Sequence, residues 1–382
     1  MSVSLVNLTD LLRRRSAQAI LSLWSPASTT LRAELERRLE AWPGEAEALL
    51  SSPVFEHRFE YERDPRTMAE LPEELVCPAL IEAMDRTWPK LEEQRFARSW
   101  RPYVHQVQAW KALRQEPARS VVVATGTGSG KTECFLVPIL DHLARTPKRR
   151  HQGVQALMLY PLNALIESQR ERFSAWTRHF GGAIRYCLYN GDTPPGAQPS
   201  RIYKDEPERV HDRATLREDP PPLLVTNSTM LEYMLVRPED NPILMKSQGS
   251  LRYIVIDEAH TYLGSQAAEL ALLLRRVLLA FGVSPEQVRF VATSATIGGK
   301  DAKADLRRFL ANISGQSEAQ VDVIDGRHEI PPLPEVPAQE IGVDALRALS
   351  DEERYQALAA SPLARSLRRA VVNKPSTLAE LA

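Results

Sequence analysis

The chain has 382 residues, with 48 Lys and Arg against 49 Asp and Glu, a formal net charge of −1 and 43% hydrophobic residues. These values exclude a disordered, collagen-like or supercharged chain, and the length predicts two or three domains with a sizeable core. No stretch approaches the roughly 18 apolar residues of a membrane span, and the arginines of the N-terminus MSVSLVNLTDLLRRR follow the apolar residues, the reverse of a signal peptide. A cytoplasmic protein with no membrane partner is the expectation. The three cysteines, Cys77, Cys134 and Cys187, form no Cys-x-x-Cys pair, so neither a disulfide framework nor a cysteine zinc site follows.

In chain order, the first hundred residues read as a small helical domain. Apolar residues recur at helical spacing from Leu8 to Trp24, and Ser28, Thr29 and Thr30 are placed to cap a second helix from Leu31 to Trp42, which Pro43-Gly44 ends. A further apolar cluster runs from Leu71 to Met84. From Ser120 the pattern changes to short β-branched runs alternating with amphipathic stretches, which predicts βαβ units and a mostly parallel sheet. Strands are expected at 120–125, 154–160, 184–190, 223–227, 251–257 and 289–293, with helices at 131–145, 162–180, 228–237 and 264–281. Pro138 inside the first of these helices predicts a kink. Prolines between 194 and 222 mark an exposed excursion, those between 331 and 337 mark a linker, and Val343 to Ala382 again has a helical pattern. Residues 101–300 carry 25 basic against 19 acidic residues, a mild excess compatible with a phosphate-bearing partner.

Two motifs carry chemistry. Residues 121–132, VVVATGTGSGKT, are an apolar strand running into a glycine-rich turn that opens a helix. In such a phosphate loop the backbone N–H groups of Thr127, Gly128, Ser129 and Gly130 turn onto phosphate oxygens, Lys131 reaches the outer phosphates and Thr132 offers a hydroxyl to Mg²⁺. Thr125 stands where the usual leading glycine would. The second motif, residues 251–260, is an apolar strand delivering Asp257 and Glu258. Open α/β sheets bind ligands at the carboxyl ends of their strands, so this pair belongs beside the loop, Asp257 for the metal and Glu258 for the attacking water.

The order of motifs resembles superfamily 2 helicases of the DEAD/DEAH-box type, over about residues 99–312. Gln106 in YVHQ looks like the adenine-reading glutamine, with Tyr103 or Trp100 to stack on the base. Residues 125–132 resemble motif I, Asp257 to His260 motif II, and Ser294-Ala295-Thr296 motif III, which couples nucleotide state to lobe movement. His260 would bridge the ATP site and motif III. Pro161, Asn163 and Gln169 fall in a motif Ia-like segment, and Gly191, Asp192, Thr226 and Asn227 in further elements that contact the nucleic-acid backbone.

The resemblance implies an α/β RecA-like lobe with a mostly parallel sheet, preceded by a helical domain at 1–98 and followed at 313–382 by a linker and the start of an accessory domain. It implies ATP and Mg²⁺ as cofactors, and single-stranded nucleic acid bound without sequence specificity. A second RecA-like lobe, in cis or in trans, would complete the motor, and the chain reads as truncated before it. DNA rather than RNA follows from DEAHTYLG at 257–264 and YPLNAL at 160–165, which look like the Lhr-like and MrfA-like bacterial helicases of DNA repair and of Druantia or DISARM phage defence. A protein-handling motor and a dormant ATP-binding interaction module remain alternatives.

Overall fold

The computed structural model describes residues 5–45, 48–56, 59–126, 128–146, 153–262, 264–294, 301–372 and 375–381. These fall into two compact units, one made of residues 1–60 with 329–382 and the other of Tyr61–His328.

The first unit is helical. Helices span Leu5–Trp24 and Thr29–Leu39, then Val343–Ala348, Asp351–Ala360 and Pro362–Val371. Ser28 caps the second helix by accepting the Leu31 N–H at 3.3 Å, and Ser350 with Glu353 forms a capping box ahead of Asp351–Ala360. Val54–Phe55 pairs antiparallel with Ser376–Thr377.

The second unit is built on eight strands: β1 (Ser120–Ala124), β2 (Ala156–Leu159), β3 (Tyr186–Tyr189), β4 (Arg209–Val210), β5 (Leu223–Thr226), β6 (Tyr253–Ile256), β7 (Arg289–Ser294) and β8 (Val321–Asp325). Their order is β4-β3-β5-β2-β6-β7-β1-β8, and every neighbouring pair is parallel. Both faces are covered, which is why the inner strands are largely continuous apolar runs rather than alternating ones. Val121, Val123, Met158 and Val255 face one core with Phe135 and Leu136 of the Lys131–Arg145 helix. Val122, Leu157, Leu159 and Ile254 face the other with Leu273 and Leu274 of the Ser265–Ala280 helix.

All six expected strands occur, each within about two residues of its expected bounds, and the structure adds four findings. The linker expected from 313 begins later, because Val321–Asp325 pairs with β1 along its length and Arg119 grips Asp322 through two 2.6 Å hydrogen bonds. The expected boundary at 98 falls inside the second unit: Asp141, fully buried, accepts the Cys77 N–H at 2.6 Å and is also held by Arg114 and Arg145, while Trp176 donates to the Gln94 carbonyl at 2.8 Å. Residues 61–98 are thereby tied to the α/β core. The expected helix 162–180 is two helices, Asn163–Ser168 and Arg170–Thr177, hinged at Gln169, and the Lys131–Arg145 helix runs through Pro138.

Candidate functional site

The phosphate loop leaves β1 and ends at Gly130, whose φ of +72° suits a residue without a side chain. A Cβ there would sit 2.3 Å from Gln106 Nε2. Gln106, buried in the Val104–Leu113 helix, is fixed at both ends of its amide: Oε1 accepts the Tyr103 N–H at 2.9 Å and Nε2 donates to the Gly130 carbonyl at 3.2 Å. Each end keeps one further hydrogen-bonding position. His105 Nε2 lies 2.8 Å from the Ser129 carbonyl, so the ring nitrogen is the donor there, and burial pushes its pKa below the ordinary histidine value. Thr125 and Ser129 share a 2.6 Å hydroxyl hydrogen bond that closes the loop's base. Thr127 lies outside the described residues, and Gly128 is exposed.

A cavity of about 520 Å³ opens beside the loop, lined by Phe96, Trp100, Tyr103, Gln106, Gly128, Gly130 and Trp176, with Glu133 and Arg172 paired at 3.6 Å on its wall. The two aromatic residues expected to stack on a base, Tyr103 and Trp100, both face it, Trp100 at 51% exposure.

β7 lies between β1 and β6, so the loop, Ser294 and the carboxylate pair end side by side on one edge. Lys131 Nζ is 3.8 Å from Glu258 Oε1 and is a buried donor with no hydrogen-bond partner. Such an orphaned ammonium at a helix N-terminus fits an anion. Asp257 is pushed above the usual carboxylate range by burial, against the Thr293 hydroxyl that donates to it, and the neighbouring Glu258 adds to the rise. Thr293 Oγ1 also accepts the Glu258 N–H at 3.0 Å. Glu258 itself stands at φ 51°, and His260 Nδ1 is 3.3 Å from its Oε2. Thr132 is half-buried at the helix start. A cation placed among Thr132, Asp257 and the phosphates of a nucleotide would relieve the charge that burial penalises, so the donor set fits Mg²⁺. Ser294 is buried opposite Ala124; Thr296 lies outside the described residues.

The remaining candidates occupy the other half of the same edge, at the ends of β2, β5 and β3. Asn163 and Gly191 are exposed, as is Asp192, while Pro161 and Gln169 are partly so. Thr226 is a correction: it is fully buried and its hydroxyl donates to the Tyr189 carbonyl at 2.6 Å, so it links β5 to β3 and has no surface for a ligand. Asn227 caps the Ser228–Val236 helix through the Met230 N–H at 2.8 Å and donates to Asn163 Oδ1 at 2.8 Å. Arg213 reaches the carbonyls of Gly191 and Thr193 and shapes that turn. Among the described residues no cluster of His, Cys, Asp and Glu forms a separate metal site, and no helix is long and apolar enough to cross a membrane.

The sequence reading missed Thr293, whose polar side chain in an apolar strand is the only signal it offered, and His105, adjacent to Gln106. It also missed Tyr160, whose buried hydroxyl has no partner and faces the charges of Asp257, Arg172 and Glu133.

The DEAD/DEAH box helicase family profile matches residues 103–304, more than half of the chain. The chain belongs to the DEAD/DEAH box helicases. Druantia protein DruE of Escherichia coli is 28% identical over 348 residues, covering 66% of the chain and 19% of that protein. The uncharacterized ATP-dependent helicase YprA of Bacillus subtilis is 30% identical over 198 residues, covering 51% of the chain and 23% of that protein. The crystal structure of the DUF1998 helicase MrfA bound to DNA and AMPPNP has a TM-score of 0.49 at 25% identity, covering 72% of the chain and 31% of that structure. The chain spans about a fifth of the length of these two curated relatives.

Proposed function

We propose that this DEAD/DEAH box chain is the ATP-binding lobe of an ATP-dependent motor that works on nucleic acid, DNA in preference to RNA. The observation that carries the reading is the division of one sheet edge: Lys131, Asp257 and Glu258 at the ends of β1 and β6, and the polar loops at 161–163, 190–193 and 227 at the ends of β2, β3 and β5. Lys131 and the loop N–H groups hold the phosphates of ATP, and Thr132 and Asp257 hold Mg²⁺, which when bound neutralises charge on the phosphates. Glu258, its side chain 30% exposed, orients the attacking water and takes its proton. His260 holds the second carboxylate oxygen of Glu258 in place. Gln106 offers one N–H and one lone pair, which match the N7 and amino edge of adenine and not the two acceptors of guanine. Trp100 and Tyr103 flank the base, and Ser294 and Thr296 pass nucleotide state onward.

A second RecA-like lobe, in cis or in trans, completes turnover, because an arginine supplied from outside is worth about 10³ to 10⁵ in rate. Asn163, Gln169, Gly191 and Asn227, with Pro161 shaping the first loop, meet the sugar-phosphate backbone of a single strand, so binding is sequence-independent. Likeness to the Druantia protein favours a role in defence over one in repair.

ATPase assays of the chain with and without single-stranded DNA test the reading. Barely detectable turnover by the chain alone, raised by DNA once a second lobe is supplied and abolished by Lys131→Ala, is expected, and DNA affinity should fall steeply with salt through counterion release. Stimulation by unfolded peptide and not by DNA would replace the nucleic-acid motor with a protein-handling one. ATP binding that neither DNA nor a second lobe converts to turnover would leave a dormant module.

A further inference from the structure

The phosphate loop is held from outside its own motif. Tyr61, 8% exposed, accepts the Gly126 N–H on its hydroxyl at 2.9 Å. Its ring stacks on His328 with centroids 4.2 Å apart and meets the edges of Tyr103 and His105 at 5.7 and 5.2 Å. His105 in turn holds the far side of the loop through Ser129. The backbone repeats the arrangement: Tyr61 bridges His328, Arg63 bridges Tyr103, and the Glu62 N–H donates to the Arg327 carbonyl at 2.8 Å. Beyond β8 the chain crosses the ring so closely that a Cβ on Gly326 would lie 2.4 Å from Tyr61 Cε1 and 3.0 Å from Thr125 Cγ2.

We propose that Tyr61 is a positioning residue for nucleotide binding, fixing the first turn of the phosphate loop at Gly126 while the strap 326–328, where the chain leaves this unit, clamps the tyrosine in place. The argument rests on reading the loop as the nucleotide site. A backbone N–H that loses a buried acceptor turns toward water, and the loop then spends less time in its binding-competent shape. Apparent affinity falls in proportion to that lost fraction. The ring contacts are indifferent to the hydroxyl, so its removal acts on the loop and leaves the fold intact.

The test is equilibrium binding of fluorescent ATP and ADP, each with Mg²⁺, to the 382-residue chain and to Tyr61→Phe, His328→Ala and Lys131→Ala, with thermal midpoints and nucleotide-free DNA affinity measured alongside. Tyr61→Phe is expected to weaken both nucleotides about tenfold, a loop populated about a tenth of the time, with midpoint and DNA affinity unchanged. His328→Ala, which keeps the hydroxyl and loses the stack, should weaken them by less. Wild-type affinity in Tyr61→Phe while Lys131→Ala abolishes binding would overturn the proposal and leave the site reading standing. So would a Tyr61→Phe protein that melts several degrees lower and loses DNA affinity in step, since that is a general structural role. A wild-type chain that bound neither nucleotide would overturn the site reading and this proposal together.

Discussion

Glu258 combines three constraints that a solvated carboxylate would not meet: a left-handed backbone at φ 51°, an N–H held by Thr293 and a side chain between Lys131 and His260. A non-glycine residue in that region costs about 1–3 kcal/mol and persists where its surroundings impose it. Glu258→Gln keeps the shape and removes the base, so turnover should drop about 10²- to 10⁴-fold with nucleotide affinity nearly unchanged, as single-turnover and binding assays would show. His105 gives a pH prediction. Burial depresses its pKa, so the folded state holds it neutral; its contribution to stability is present above the ordinary value of about 6.5 and is lost as pH falls through the folded one. Thermal midpoints of the wild type should fall on acidification below pH 6.5, and His105→Gln, which keeps a donor for Ser129, should flatten part of that limb. At this scale the placement of Lys131, Asp257 and Glu258 was legible in the sequence because each sits at a strand end or beside the glycine-rich turn, whereas Gln106, inside the Val104–Leu113 helix, was marked only by the family resemblance. Thr293 and Tyr61 were not, since their roles arise from neighbours 36 and 65 residues away.

Among the elements, β8 and the Ser228–Val236 helix show where sequence patterning stops. VDVID alternates apolar and acidic residues as an edge strand does, yet it lies beyond the last motif, so only its pairing with β1 marks it as part of the sheet. Six of the seven strands between 120 and 294 were readable because both of their faces are buried and their runs are largely apolar, whereas β4, two residues long at Arg209–Val210, offers no such run. Asn227 looked like a backbone-contact residue and is an N-cap. Asn227→Ala should cost about 0.5–2 kcal/mol in urea unfolding. Asn227→Asp keeps the capping oxygen and should preserve that stability, while adding a negative charge on the face offered to phosphates and weakening DNA binding. Equal DNA affinity for wild type and Asn227→Asp would remove this loop from the interface.

For the molecule as a whole, the sheet order places a phosphate-binding half and a polar-loop half on one edge, at strands that the parallel crossovers force to end together. On the proposed reading, charge at β1 and β6 meets nucleotide, and β7 between them, with Thr293 and Ser294 at its end, is the connection. The N-terminal hundred residues were the least legible, because helical periodicity says where apolar faces lie and nothing of which core receives them; residues 61–98 joined the α/β unit through Asp141 and Trp176. The central claim is that this edge binds Mg-ATP through Lys131. Titration of a fluorescent ATP analogue into the chain, with and without Mg²⁺, tests it most directly. Saturable, Mg²⁺-dependent binding that Lys131→Ala weakens at least about tenfold, the loss of one charge-assisted contact, is the predicted result; binding that is absent, or unchanged in Lys131→Ala, would contradict the account.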